Sequence, residues 1–135
     1  MNRDALSTFS IGDMRVFRKK TDEGAIASLS FGSGDINPLH LDDEFARQTS
    51  FGGKIAHGMS TASLISAPLS TFSGISVYLS QSLRFVNRVR LGHEIEPIAV
   101  VIDKRQERNE LLLQTLGKNK QAETVLEGEA RIGIL

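Results

Sequence analysis

The chain contains no cysteine and no tryptophan. Without thiols there can be no disulfide, no thiolate nucleophile and no cysteine-based zinc site. It also lacks a surplus of either charge: 16 Lys and Arg stand against 16 Asp and Glu, a formal net charge of zero. A nucleic-acid partner is therefore not expected, because phosphate contacts draw on an excess of basic residues. No apolar run approaches the roughly 20 residues of a membrane-spanning helix. The opening MNRDALSTFSIGD carries Asp4 and polar residues where a secretory leader needs an unbroken apolar stretch, so a cytoplasmic protein is expected.

What is present is the composition of an ordinary globular protein, 40% hydrophobic and 24% charged. Its 135 residues suffice for one core, and no repeat or linker divides them, so a single domain over 1–135 is expected. IGDMRVFRKK reads as a short first strand. Thr21 can cap a helix whose first turn holds Asp22 and Glu23 and whose apolar stripe is Ala25, Ile26 and Leu29. That helix must end at GSGDINP, where two glycines and Pro38 break the pattern. A second short helix is expected at LDDEFARQT.

From Ile55 through Leu83 there is no Asp, Glu, Lys or Arg. Serines and Pro68 interrupt the apolar residues, which points to a buried segment of a folded protein and not to a membrane. HGMSTASLISAPLS reads as its helical part, with Ser60, Ser63, Ser66 and Ser70 forming a face of small residues that lets a backbone or ligand come close. The period then changes to two: ISVYLSQSLRF predicts a long strand, and IEPIAVVIDKRQ, ELLLQTLGK and TVLEGEARIGIL predict three more joined by hairpins. An antiparallel sheet wrapped around one buried helix is an α+β arrangement.

The segment SGDINPLH places Asp35 and His40 five residues apart across a proline. Such a pair can handle protons, since histidine titrates near neutrality and a carboxylate can fix its tautomer or share a water with it. It can equally be a structural loop in which Asp35 caps a turn and His40 is a satisfied polar residue. The residues alone leave both readings open. His57 could complete a two-histidine, one-carboxylate metal set with them, although the spacing fits no dedicated metal motif, and a structural histidine at a helix end is the simpler reading. His93, in LGHE, reads as a turn residue. GGKI is not a phosphate loop, GSGDIN lacks the third glycine of a dinucleotide fingerprint, and no G-x-S-x-G elbow exists.

SGDINPLHLDDEFA, followed by FGGKIAHGM and then YLSQSLRF, closely resembles the MaoC-like, (R)-specific enoyl-CoA hydratase family, whose signature is Asp-x-Asn-Pro-aliphatic-His. The resemblance implies a hot-dog fold of about five antiparallel strands around a central helix, paired into a homodimer. It implies that Asp35 and His40 activate one water, which adds across a trans-2-enoyl thioester to give an (R)-3-hydroxyacyl thioester, with no metal and no cofactor. It also implies that the backbone N–H of Gly58 meets the thioester oxygen, that Ser66 hydrogen-bonds within the site, and that Asn37 holds the loop or orients the pair. The substrate would be carried by coenzyme A or by an acyl carrier protein. A noncatalytic acyl-CoA-binding hot-dog protein is the other class the same residues would serve. The basic cluster RFVNRVR, with Arg84, Arg88 and Arg90, could face a carrier's phosphates or be a solvated strand edge. There the chain departs from the family pattern, having Arg88-Val89 and Gly92-His93 where Pro-Val and Gly-Asp are common.

Overall fold

The computed structural model describes residues 5–72 and 74–135. Short strands β1 (Met14–Val16) and β2 (Lys19–Lys20) lead into helix α1 (Glu23–Ser33). Four short helices follow: α2 (Pro38–Leu41), α3 (Asp43–Arg47), α4 (Gly58–Ser63) and α5 (Ser66–Leu69). The remainder is strand: β3 (Ser76–Gln81), β4 (Arg84–Phe85), β5 (Glu94–Arg105), β6 (Glu110–Lys118) and β7 (Thr124–Ile134). The seven strands form one antiparallel sheet in the order β1-β5-β6-β7-β3, with β2 on β5 and β4 on β7. This is the α+β, hot-dog arrangement of a sheet curled around a helical segment, with two of the strands only two residues long.

The β5-β6-β7 meander follows from period-two burial. Leu111, Leu113 and Thr115 of β6 are fully buried, and Leu126, Ala130 and Ile132 of β7 join them beside Ile95, Ala99 and Val101 of β5. Asn109, at φ 52°, reverses the chain between β5 and β6. Onto this face pack Ile65, Leu69 and Phe72, with Leu6, Phe9 and Ile26 closing the rim. Burying each of Ile65 and Leu69 contributes about 1.5–3 kcal/mol. No described helix is long and apolar enough to cross a membrane.

Three local expectations change. The cap of α1 is Asp22, whose carboxylate accepts from the Ala25 N–H at 2.8 Å. Thr21 is instead held by backbone bonds with Gly92 and His93. The helix expected over HGMSTASLISAPLS is split between α4 and α5, because Pro68 has no N–H to donate to Leu64 O and Ala67 N donates there instead, one residue short of the α-helical spacing. The helix expected at LDDEFARQT likewise divides at Asp42, whose side chain caps α3 through the Phe45 N–H.

The long strand expected over ISVYLSQSLRF is also broken. Its register against β7 shifts between Tyr78 and Ser80, and the chain leaves the ladder at Ser82 before β4. Ser82 lies on Gly128, where a Cβ would sit 1.8 Å from the Ser82 carbonyl oxygen. Val77, Tyr78 and Leu79 are all more than 40% exposed, so the expected alternation of buried and open faces along β3 is absent within one chain.

Candidate active site

The site begins where α1 stops. Gly34 at φ 85° turns the chain, and a chain of local bonds then sets the loop. Ser33 Oγ accepts from Asp35 N at 3.1 Å, Asp35 Oδ1 accepts from Asn37 N at 3.2 Å, and Asn37 Oδ1 accepts from Leu39 N at 3.1 Å. Asn37 is thus the N-cap of α2, with Pro38 in the first turn where its missing N–H costs nothing. One helical turn brings His40 to the buried side of α2.

His40 Nδ1 lies 2.7 Å from the carbonyl oxygen of Ile55. A carbonyl only accepts, so Nδ1 carries a hydrogen, and in the neutral ring the lone pair that can act as a base is on Nε2. That Nε2 makes no hydrogen bond to a described residue and is not sealed from solvent. Asp35 is half exposed, whereas His40 and His57 are 9% and 3% exposed. One ligand-type atom from each of Asp35, His40 and His57 lies within 4.8 Å of the others. The structure therefore brings the exposed carboxylate together with two buried imidazoles.

His57 takes a larger part than the sequence suggests. Its ring stacks on His40 with 3.8 Å between centroids and 27° between planes. Its Nε2 is 3.0 Å from Ser30 Oγ, 3.3 Å from the Asp35 carbonyl oxygen and 3.9 Å from Asp35 Oδ2. Facing a carbonyl, Nε2 carries the proton, which leaves a buried Nδ1 with no partner. An unsatisfied buried acceptor costs about 1–3 kcal/mol, a cost the surrounding fold sustains. Ser30 could have been found from the sequence, because it stands one helical turn after Ile26 on the face α1 buries. The Ile55 carbonyl could not, since backbone groups carry no residue signature.

The same three side chains could be drawn around a metal ion, and the geometry fits one poorly. A metal bound by two imidazoles lies in both ring planes, about 2.0–2.1 Å from each nitrogen. The planes of two stacked rings with centroids 3.8 Å apart and an inclination of only 27° meet well beyond that distance.

Gly58 opens α4 directly after His57, so its N–H precedes any intrahelical acceptor and has no partner among the described residues. The ring of Phe85 rests on it: a Cβ at Gly58 would meet Cε1 at 2.9 Å and Cζ at 3.1 Å. Ser66, at the start of α5, is exposed, and no hydrogen bond joins its hydroxyl to Asp35, His40 or Gly58. Around the cluster Phe31, Ile36, Met59 and Phe85 are each more than half exposed, an unusual amount of open apolar surface beside a carboxylate.

Behind the site, Lys54 is 10% exposed and its ammonium lies 3.0 Å from Glu23 and 3.7 Å from Asp43, tying the starts of α1 and α3 together. The hydrogen bond to Glu23 raises the Lys54 pKa above its ordinary value against the opposing effect of burial, so the clamp is charged at neutral pH. A cavity of about 170 Å³ separates this clamp from His40.

Residues 10–123 match the family described as MaoC like domain. A 3-hydroxybutyryl-CoA dehydratase of Methylorubrum extorquens is 36% identical over 129 residues, spanning 92% of this chain and 80% of the relative. A mitochondrial 3-hydroxyacyl-[acyl-carrier-protein] dehydratase of Arabidopsis thaliana is 35% identical, spanning 89% of this chain and 74% of the relative. An (R)-specific enoyl-CoA hydratase of Aeromonas caviae is 34% identical over 91% of this chain and 93% of its own length. The solved (R)-hydratase from that organism superposes with a TM-score of 0.90 at 32% identity, over 95% of this chain and 98% of its own.

Proposed function

This chain belongs to the MaoC-like domain family, and from its likeness to a hydratase and two dehydratases we propose that it is an (R)-specific enoyl-CoA hydratase acting through Asp35 and His40. The observation that carries the proposal is the meeting of an exposed carboxylate and an imidazole nitrogen with no hydrogen-bond partner among the described residues, beside the unpartnered N–H of Gly58. A water held by Asp35 and His40 Nε2 loses a proton to that nitrogen as its oxygen bonds to C3 of a trans-2-enoyl thioester. The carbon–carbon π electrons move toward the thioester oxygen, which the Gly58 N–H meets. The proton then passes to C2, so one water supplies both new bonds and no cofactor is consumed. Acid–base help of this kind contributes about 10²–10⁴-fold, and one oxyanion donor about a hundredfold or more. Asn37 serves as the brace of the loop, and Ser66 as a hydrogen-bonding residue of the completed site.

Completion requires a second copy. Strand β3 ends the sheet with a free edge and exposed Val77 and Leu79, and an open apolar edge invites pairing. A homodimer would cover this edge and Met59, Ile36 and Phe85, converting an open apolar surface into a sleeve for the acyl chain.

Hydration of crotonyl-CoA, followed as loss of the conjugated thioester absorbance, tests the reading. Turnover is expected, with Asp35→Asn slower by about 10²–10⁴-fold. Parent-like hydration by Asp35→Asn would remove Asp35 from the mechanism; acyl-CoA binding without turnover at any chain length would make this a noncatalytic binding protein. The likeness to the Arabidopsis relative supports a second substrate, the acyl-carrier-protein thioester, to be compared in the same assay.

A further inference from the structure

A groove of about 510 Å³ runs beside the active-site segment, between Phe51, the chain from Val86 to His93, and the β6–β7 turn. Arg88, Arg90 and His93 line it, and the one acidic residue in its wall, Glu123, accepts from Asn119 Nδ2 at 3.3 Å within its own turn. Neither Arg88 nor Arg90 forms an ion pair with a described residue, whereas Arg84 and Arg131 on the neighbouring strands pair with Glu127 and Glu110. The Arg88 guanidinium instead stands 5.5 Å over the ring of Phe51. Two forked cations and a flat aromatic face thus share one concave surface.

The groove is coupled to the proposed chemistry by one strand pair. Arg90 bridges Ile55, and Ala56 N donates to Val89 O at 2.7 Å. Ile55 is the residue whose carbonyl fixes the His40 tautomer, and Gly58 lies three positions further along the same segment. An extended substrate with its reacting carbons at Asp35 and His40 could run along residues 55–58 and leave an anionic tail among Arg88, Arg90 and His93.

We propose that this groove binds the phosphorylated nucleotide end of coenzyme A, with Arg88 and Arg90 gripping phosphate oxygens and Phe51 offering its ring to the base; this rests on the hydratase reading of the adjoining site. Guanidinium forks match phosphate geometry and remain charged throughout. A concave pocket suits a nucleotide better than it suits the convex surface of a carrier protein.

The experiment compares kcat/KM for crotonyl-CoA and crotonyl-pantetheine in the parent, in Arg88→Gln/Arg90→Gln and in the charge-keeping Arg88→Lys/Arg90→Lys. The parent is expected to prefer the coenzyme A thioester by tenfold or more, the glutamine variant by less than about threefold, and the lysine variant by an intermediate factor. An unchanged preference in the glutamine variant overturns the proposal. So does a variant that loses activity on crotonyl-acyl carrier protein while keeping its preference for crotonyl-CoA, since that outcome assigns the groove to a protein. Calorimetric titration of the parent and of Arg88→Gln/Arg90→Gln with coenzyme A separates the groove from the reaction. Binding at least fivefold weaker in the variant supports the groove even if no thioester is hydrated, and equal binding overturns it.

Discussion

The imidazoles of His40 and His57 lie face to face, 3.8 Å between centroids and 27° from parallel. Their roles are divided by their acceptors: Ile55 O takes the His40 Nδ1 proton, and Asp35 O takes the His57 Nε2 proton. The His57 Nε2 hydrogen bond to the Asp35 carbonyl, 3.3 Å long, ties the Asp35 loop to the start of α4. His57→Phe keeps a flat ring against His40 and removes the bond to Asp35. A displacement of about 1 Å in a catalytic group can cost a hundredfold in rate. Steady-state hydration of crotonyl-CoA by His57→Phe is accordingly expected to show kcat reduced by about that factor, with KM within about threefold. An unchanged kcat would deny His57 its hold on Asp35.

Gly58 and Phe85 make a second pair whose contact is tighter than any side chain permits. Gly58→Ala retains the backbone N–H, so any loss must come from the methyl group that would meet the Phe85 ring at 2.9 Å. Overpacking of this kind costs about 1–3 kcal/mol, and the half-exposed ring has room to move. Gly58→Ala is expected to lower both thermal stability and turnover, and Gly58→Ala/Phe85→Leu to regain most of the stability. Absence of any regain in a thermal melt would show that the crowding lies elsewhere.

Gly128 offers no such escape. Its added Cβ would lie 1.8 Å from a backbone oxygen, that of Ser82, and 2.7 Å from the Ser82 carbonyl carbon, at the point where Ser82 also bonds Glu129 through both N–H and Oγ. No rotamer change relieves a backbone collision. Gly128→Ala is expected to destabilise by more than about 3 kcal/mol, beyond the usual range of single substitutions, or to prevent folding. Denaturant unfolding of the purified variant measures it, and a loss below about 1 kcal/mol would mean that the β3–β4 chain shifts freely.

Much of this architecture was legible in the sequence because it depends on period and punctuation. The alternation in ELLLQTLGK and TVLEGEARIGIL marked β6 and β7, and the glycines before Asp35 marked the end of α1, while Pro38 opens the short helix α2 that carries His40. The break between β3 and β4 was not legible, because it comes from the crossing of Ser82 over Gly128, two residues 46 positions apart whose contact leaves no local pattern. His57 is the hydrogen-bonded histidine expected at a helix end, at the N-cap of α4, but which groups it joins was not legible. Its partners are Ser30, the Asp35 carbonyl and a neighbouring ring, and these meet only in three dimensions. The exposed β3 face shows the converse limit, since its alternation anticipates a covering that a single chain does not supply.

The ion pair between Glu110 and Arg131 makes stability depend on pH in a definite direction. Arg131 donates to Glu110 Oε2 from NH2 at 2.7 Å and from Nε at 3.3 Å, joining the start of β6 to β7. That bond is the main reason the Glu110 pKa lies below its ordinary 4.5, with the charges of Arg131, Arg108 and Arg105 adding to it and desolvation opposing it. As pH falls below 4.5 the unfolded chain's carboxylate takes up a proton while the folded one still resists it. The unfolded state then binds more protons, so this contribution is fully present above pH 4.5 and is lost progressively as pH falls through the folded value. Glu110→Gln removes the titrating group and keeps the shape. Its melting temperature is expected below the parent's at neutral pH, with the gap narrowing as acid is added below pH 4.5. A gap that is constant across that range, or that widens toward acid, would show that the Arg131 bond does not hold the carboxylate ionised.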